Sequence, residues 1–269
     1  MVPRLSLVYL SRLPFQIKMS RFFILFFLFF ISSGCVTIYN PATEKREIYF
    51  IDENMEILIG KNFASQILKE KKVCLDKELN LYVKNIGKKI ASVSHRDYLK
   101  YHFYILEDKE INAFALPGGF VFVNKGLVDI ANKDELAFCL GHEIAHICAR
   151  HPVKRLQASL GIELLLSIAL RNPKYADLRR GLDIIYKIIA LGYSRQDEFL
   201  ADSLGVYYSY KAGFNPYGAI TLLKKLKKKE KVKPLVFLSS HPPLEARIEN
   251  IEKRIERLKK EKIALLEVN

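Results

Sequence analysis

The sequence predicts an α+β fold, mainly helical, in which a small antiparallel sheet packs on one buried helix. Three observations carry that expectation. Before residue 93 and again after residue 133, apolar residues recur at helical spacing. Between those regions "YHFYILED", "INAFAL" and "GFVFVN" are short, aromatic and β-branched, divided by "DKE" and "PGG", which is the pattern of strands joined by tight turns. Finally, "LGHEIAHICARH" at 140–151 sets three of the chain's six histidines and one glutamate among apolar neighbours.

At 269 residues, 50% of them hydrophobic, the chain is long enough for one sizeable core plus appendages. The formal charge of +14 is spread along it. Residues 1–34 carry Arg4, Arg12, Lys18 and Arg21 and no acid, and a second concentration is "KKLKKKEKVK" at 224–233. Such a run reads as a solvated helix face, with contact to anionic lipid headgroups as the alternative. Basic residues are not interleaved with aromatics and no nucleic-acid motif is visible, so nucleic acid is not an expected partner.

Taken in order, "RFFILFFLFFISSGC" offers a basic flank, an apolar run at 22–31 and small residues ending at Cys35. The run is shorter than the roughly 20 residues of a membrane span, so residues 1–34 read as an export signal peptide. Met19 stands directly before this compact signal, which makes 1–18 a candidate extension from an upstream start. The ending resembles a bacterial lipobox, in which the cysteine is lipidated, although Ser32 stands where Leu is usual; an uncleaved short anchor and soluble secretion are the alternatives. With Cys35 so used, Cys74, Cys139 and Cys148 are expected as free thiols without a disulfide framework.

Residues 35–53 are polar and extended and read as a tether. Helices are expected over about 54–70 and about 76–93, followed by the sheet. The next helix, 134–150, opens with a capping box: Asn132 caps it and Glu135 lies three residues on. Two apolar stretches between 157 and 192 read as core helices or as a hydrophobic lid on the substrate side. A further helix runs from about 195 to 212 and stops at Gly213, and Asn215 with Pro216 opens another to about 230. Leu244, Ile248, Ile251, Ile255 and Leu258 alternate in spacings of four and three, which predicts a final amphipathic helix docked on the body or a short coiled coil.

His142 and His146 stand four apart on the 134–150 helix, about 40° apart around its axis and about 6 Å along it, so their imidazoles point the same way. Two nitrogen donors so placed can bind one tetrahedral zinc ion. Glu143 sits beside them, where a carboxylate can take the proton of an attacking water. A helix buried on both sides would carry these groups at a cost that a metal relieves. Zinc in a hydrolase needs a third protein ligand, and Glu198 in "YSRQDEFLAD" is the best candidate. Asp202, four residues on, shares its helix face and can accept from the second nitrogen of a liganding histidine. A solvated helix edge is the alternative for that pair.

The chain resembles the gluzincin metallopeptidases of family forty-eight, the group that contains the CAAX prenyl protease, heat-shock membrane proteases and bacterial outer-membrane-assembly proteases. The resemblance rests on "INAFALPGGFVFVNKGLV" (111–128), "DELAFCLGHEIAHICARH" (134–151), "YSRQDEFLADSLG" (193–205) and "SSHPPLEARI" (239–248), in that order. It implies a zincin-like domain over 54–269 with His142, His146 and Glu198 holding one zinc ion, Glu143 as general base and Asp202 behind the ligands. It also implies that the strand opened by Asn112 pairs with substrate backbone, a mode that tolerates many sequences; an ordinary hairpin asparagine is the alternative. His151 matches a histidine for which a structural role is expected. His241 matches a loop histidine facing the zinc, able to hold the enzyme latent or to steady the oxyanion, against a plain helix-capping role. Arg195 and Arg247 fit the pattern without an assigned role.

The resemblance makes the expected protein a zinc endopeptidase tethered at the bacterial cell envelope by a lipid or signal anchor. It would face the periplasm, at the outer membrane if lipidated, and cut unfolded or misassembled envelope polypeptides. The rival expectations are a latent, chaperone-like lipoprotein that holds assembling outer-membrane proteins, and a structural zinc protein in which Glu143 has no role. Integral-membrane members have several long spans, and some assembly-associated members carry a helical-repeat domain after the last block. Neither feature is visible in this sequence.

Overall fold

The computed structural model describes residues 36–159, 185, 189, 191–230, 235, 241 and 244–267. The expected export segment, Cys35 and most of the two apolar stretches between 157 and 192 lie outside these residues. Among the described residues no helix is long and apolar enough to cross a membrane.

The first element corrects the expectation of a tether over 35–53. Strands β1 (Val36–Asn40) and β2 (Lys45–Tyr49) pair antiparallel. The turn is built locally: the Asn40 side chain accepts from the Ala42 N–H at 3.0 Å, and Glu44 takes a left-handed φ of 55°. Tyr49 and Ile51 are buried, so this segment is anchored to the body rather than leading to it.

Helices α1 (Glu53–Glu70) and α2 (Lys77–Ala91) follow, capped by Asp52 and Asp76, whose carboxylates accept from the Met55 and Leu79 N–H groups. Then come β3 (His102–Leu106), β4 (Ala113–Leu116) and β5 (Phe120–Asn124). The sheet order is β3-β5-β4, with β4 antiparallel to β5 but β3 parallel to it. The expected all-antiparallel sheet is therefore a mixed one. The tight turn at Pro117–Gly119, where Gly118 and Gly119 have φ of 73° and 98°, folds β5 back along β4. The chain between β3 and β4 instead crosses to the far side, leaving β5 in the centre with all five residues buried. Its unbroken apolar run is the mark of a strand covered on both faces.

Each face of the sheet meets its own core. Leu106, Phe114, Leu116, Phe120 and Phe122 pack with Ile59, Phe63 and Ile67 of α1. On the other face Ile105, Ala113, Ala115, Val121 and Val123 join α2 and α4 (Lys133–Cys148), which follows the short α3 (Lys125–Val128). The capping box of α4 forms as expected: Glu135 N–H donates to Asn132 Oδ1 and Asn132 N–H to Glu135 Oε2, both at 2.9 Å. Every residue of α4 from Glu135 to Cys148 is buried.

The helix stops because Arg150 adopts φ 54°, and its side chain turns back to Glu56 (Nε–Oε2 2.8 Å) and the Ile51 carbonyl. Arg96 reaches the same buried Glu56 at 2.8 Å, so one carboxylate ties α1 to the end of α4.

Helix α5 (His151–Ser159) leaves from there, and α6 (Arg195–Lys211), α7 (Gly218–Glu230) and α8 (Leu244–Glu267) complete the described fold. Gly213 has φ 84° just after α6, and the Asn215 side chain accepts from Tyr217 N–H near the start of α7, as expected. Ile251, Ile255 and Leu258 are buried, so α8 docks on the body. Cys74, Cys139 and Cys148 are free and buried.

Candidate active site

Helix α4 crosses α6 at two glycines. A Cβ added at Gly205 would stand 2.9 Å from the backbone N of His142, and one at Gly141 would stand 2.9 Å from the Gly205 carbonyl. The helices therefore touch backbone to backbone one residue from the first histidine. A capping box at Ser194 and Asp197 fixes where α6 begins, which places Glu198 one turn in, facing α4.

The expected residues converge. His142 Nε2 lies 3.0 Å from His146 Nε2, and Glu198 presents Oε1 3.3 Å from His146 Nε2 and Oε2 3.6 Å from His142 Nε2. His241 completes the group, with Nδ1 2.8 Å from Glu198 Oε1 and 3.3 Å from His142 Nε2. One donor atom from each of these four residues lies within 4.8 Å of the others, and all four residues are buried.

Behind the group, His142 Nδ1 is 3.0 Å from Asp202 Oδ1, so the two residues that the sequence pairs are adjacent. Arg247 grips that same carboxylate with two hydrogen bonds at 2.8 and 2.7 Å, touches Glu198 at 3.1 Å and donates to the His241 carbonyl at 2.9 Å. His146 Nδ1 meets His151 Nδ1 at 2.8 Å, and His151 Nε2 is 3.1 Å from Asp197 Oδ1. His151 is thus part of the scaffold behind His146.

The donor set suits a borderline-soft divalent cation: imidazoles and one carboxylate converge on one point in a buried site. Among the described residues neither oxygen of buried Glu143 makes a hydrogen bond, although His241 Nε2 stands 3.7 Å from Oε1, so the cluster holds acceptor capacity that these residues do not satisfy. Electrostatics divides the carboxylates into two roles. Burial pushes the Glu143 carboxyl up, against the opposing pull of His241 and His142. Burial also disfavours Glu198 and Asp202 as anions, but their neighbours outweigh it: His241 and Arg247 hold Glu198 well below the usual carboxylate range, and Arg247 holds Asp202 down. Burial pushes His146 well below its ordinary value, which keeps it a neutral imidazole with a lone pair to give.

Other expectations fall outside this cluster. Asn112 is buried immediately before β4, its carbonyl accepting from Asn124 N–H at 2.9 Å. Strand β4 is an edge of the sheet and lies against α4, but Asn112 is not among the four clustered donors. Sequence reasoning missed Tyr193, whose ring stacks on His146 at 3.8 Å between centroids and carries the Arg155 guanidinium 3.7 Å from its own centroid. It also missed Asp197; the Ser194–Asp197 capping spacing was a signal for its position, though not for its contact with His151.

Two histidines one helical turn apart, a glutamate beside them and a glutamate from a second helix define the site of a metal-dependent hydrolase. The comparisons with known proteins agree. Residues 77–255, more than half of the chain, match Peptidase family M48, and the chain belongs to that family. Among its relatives is the mitochondrial metalloendopeptidase OMA1 of Schizosaccharomyces pombe, 29% identical over 220 residues, with 80% of this chain and 65% of the relative covered. The putative beta-barrel assembly-enhancing protease of Vibrio cholerae is 28% identical over 220 residues (75% and 44% covered), and the beta-barrel assembly-enhancing protease of Escherichia coli K12 is 25% identical over 224 residues (76% and 44%). The chain thus spans less than half the length of the two assembly-enhancing relatives and about two thirds of the mitochondrial one.

Proposed function

We propose that the protein is a zinc-dependent endopeptidase of the bacterial cell envelope that cuts unfolded or misassembled envelope polypeptides. The observation that carries the peptidase reading is the buried convergence of His142, His146 and Glu198, with Glu143 beside them and neither of its oxygens hydrogen-bonded among the described residues. Those three residues would hold the ion, one per chain. When bound, zinc supplies Lewis acidity, which polarises a peptide carbonyl and makes a nearby water easier to deprotonate. Glu143 takes the proton from the attacking water and passes it to the leaving amine; its raised pKa suits a group that must accept a proton and give it up again. Asp202 and Arg247 keep His142 in orientation, and His151 does the same for His146.

The envelope address is supported by the signal-like segment before Cys35 and by the assembly-enhancing relatives; the mitochondrial relatives are equally similar and carry a different address in their name. Lipidation at Cys35 and pairing of substrate backbone along the strand after Asn112 complete the reading. A second reading, a latent and chaperone-like lipoprotein that cleaves rarely, draws support from His241, which sits within the donor cluster.

The test is Glu143→Gln, expected to abolish cleavage of an unfolded envelope protein while retaining one zinc per chain by elemental analysis. Undiminished cleavage would sink the mechanism. His241→Ala separates the two readings: faster proteolysis supports a latent protease, and unchanged silence supports a holding role. Mass spectrometry of the mature amino terminus reads out the fate of Cys35.

A further inference from the structure

The sheet has two edges, and only β4 lies beside the metal-ligand helix. The other edge, β3, is partly covered. Residues 72–74 close its far end, with Cys74 N–H donating to the Ile105 carbonyl at 2.9 Å and Glu107 N–H to the Lys72 carbonyl at 2.8 Å. Ile105 and Glu107 therefore turn their backbone groups away from β5. By the two-residue alternation of a strand, Phe103 and Tyr101 turn theirs the same way, onto a stretch that 72–74 does not reach. Among the described residues no backbone hydrogen bond is made there.

A groove flanks this open stretch on each face. On one side His102, Tyr104 and Phe120 form a stacked aromatic floor opposite α1, in a cavity of about 530 Å³. On the other, Tyr101 and Phe103, whose ring packs on α2 at Gly87, border a cavity of about 580 Å³ together with Lys84 and Lys88 of that helix. The walls are basic: Lys61 and Lys69 border the first groove, Lys84 and Lys88 the second, and Lys100 both, against a single acid, Asp97. All five lysines are exposed, and among the described residues none is ion-paired with a carboxylate. The neighbouring His102 is pushed down by partial burial and by Lys100 and Lys84, with no carboxylate opposing them.

Lysines on an edge strand discourage pairing with neutral or basic strands. They do not discourage an acidic one. We infer that the open edge of β3 is a second polypeptide-binding site, which takes an extended acidic segment by strand addition. The backbone of Tyr101 and Phe103 would supply the hydrogen bonds, and alternate side chains of the guest would fall into the two lysine-walled grooves. An anionic lipid surface would use the lysines but not the strand backbone. The site lies on the opposite edge of the sheet from β4 and does not depend on the peptidase chemistry.

The experiment uses the full chain carrying Glu143→Gln, so that probes stay intact. Fluorescence anisotropy measures binding of an extended peptide of about ten residues rich in Glu, Val and Thr. Three other probes run beside it: the same peptide with Lys for Glu, the acidic peptide with Pro at alternate positions, and phosphatidylglycerol vesicles. The acidic peptide is expected to bind at least about tenfold more tightly than the Lys or Pro versions, and to weaken by at least about tenfold when Lys61, Lys69, Lys84, Lys88 and Lys100 are changed to Gln. The Tyr101 and Phe103 amides should gain protection from hydrogen exchange on binding. The double variant Lys84→Gln/Lys88→Gln should show part of the loss. No binding of the acidic peptide, equal binding of the Pro-interrupted version, or vesicle binding without protection of those two amides would overturn the inference. The binding outcomes are read in the Glu143→Gln chain and so are independent of whether the peptidase reading holds; with Glu143 intact, the lysine variant should cleave a neutral unfolded substrate at the wild-type rate.

Discussion

Replacing Arg247 with methionine keeps most of the side-chain volume and removes the charge. In the native protein this guanidinium is fully buried and holds two carboxylates, with hydrogen bonds of 2.8 and 2.7 Å to Asp202 and a contact of 3.1 Å to Glu198. Its loss takes from two buried carboxylates the guanidinium they share and leaves them only histidine partners. Removing one partner of a buried pair costs about 3–5 kcal/mol. At about 2–4 °C per kcal/mol for a domain of this size, the metal-free protein should melt roughly 6–20 °C lower. Under the proposed metal reading a divalent cation would give Glu198 another counter-charge, so the variant with zinc added should lose less than the metal-free one. Scanning calorimetry of both proteins, with chelator and with zinc, measures the four melting points. A metal-free loss below about 1 kcal/mol, the range of an exposed ion pair, would refute the claim that Arg247 neutralises this cluster.

Three other outcomes follow from the packing. Gly205→Ala pushes α6 away from the backbone of His142 and should weaken zinc binding by at least about tenfold, read by competition with a chelating dye, although no ligand is changed. Glu56→Gln leaves Arg96 and Arg150 without their shared buried anion and should destabilise the protein by about 3–5 kcal/mol in denaturant melts. At Glu47, burial favours the neutral acid, but Lys154, Tyr49 and Asn40 together hold its pKa below the ordinary value. A carboxylate depressed by folding contributes stability above its unfolded pKa that is lost as pH falls through the folded one, so wild type should lose more stability than Glu47→Gln between about pH 5 and about pH 3.

What the sequence made legible follows from range. His142, Glu143 and His146 share one helical turn, and the Asn132–Glu135 cap marks the start of that helix, so spacing alone places them. Glu198 and Asp202 are legible as a pair on one face, but that the face turns toward His142 depends on a distant crossing. The parallel pairing of β3 with β5 has no local signature, because tight turns report only the strands they join. The hairpin at 36–49 was hidden by its polar composition. What holds it is Tyr49, buried with the Arg150 guanidinium 4.0 Å from its ring centroid, a contact between segments far apart in the chain. The Glu56–Arg96–Arg150 cluster was equally invisible, since each charge alone looks like a surface residue.

The glycine crossing of α4 and α6 changes where the vulnerability of the site lies. Because main chain rests on main chain, the spacing of the two helix backbones that carry the histidines and Glu198 is set by a close contact with no intervening side chain to adjust. Inherited or engineered variation in the ligands themselves acts on a fixed frame, and a different metal or an altered chemistry could be tried there without rebuilding the scaffold. A single methyl group at Gly141 or Gly205 would instead detune every ligand set placed on that frame.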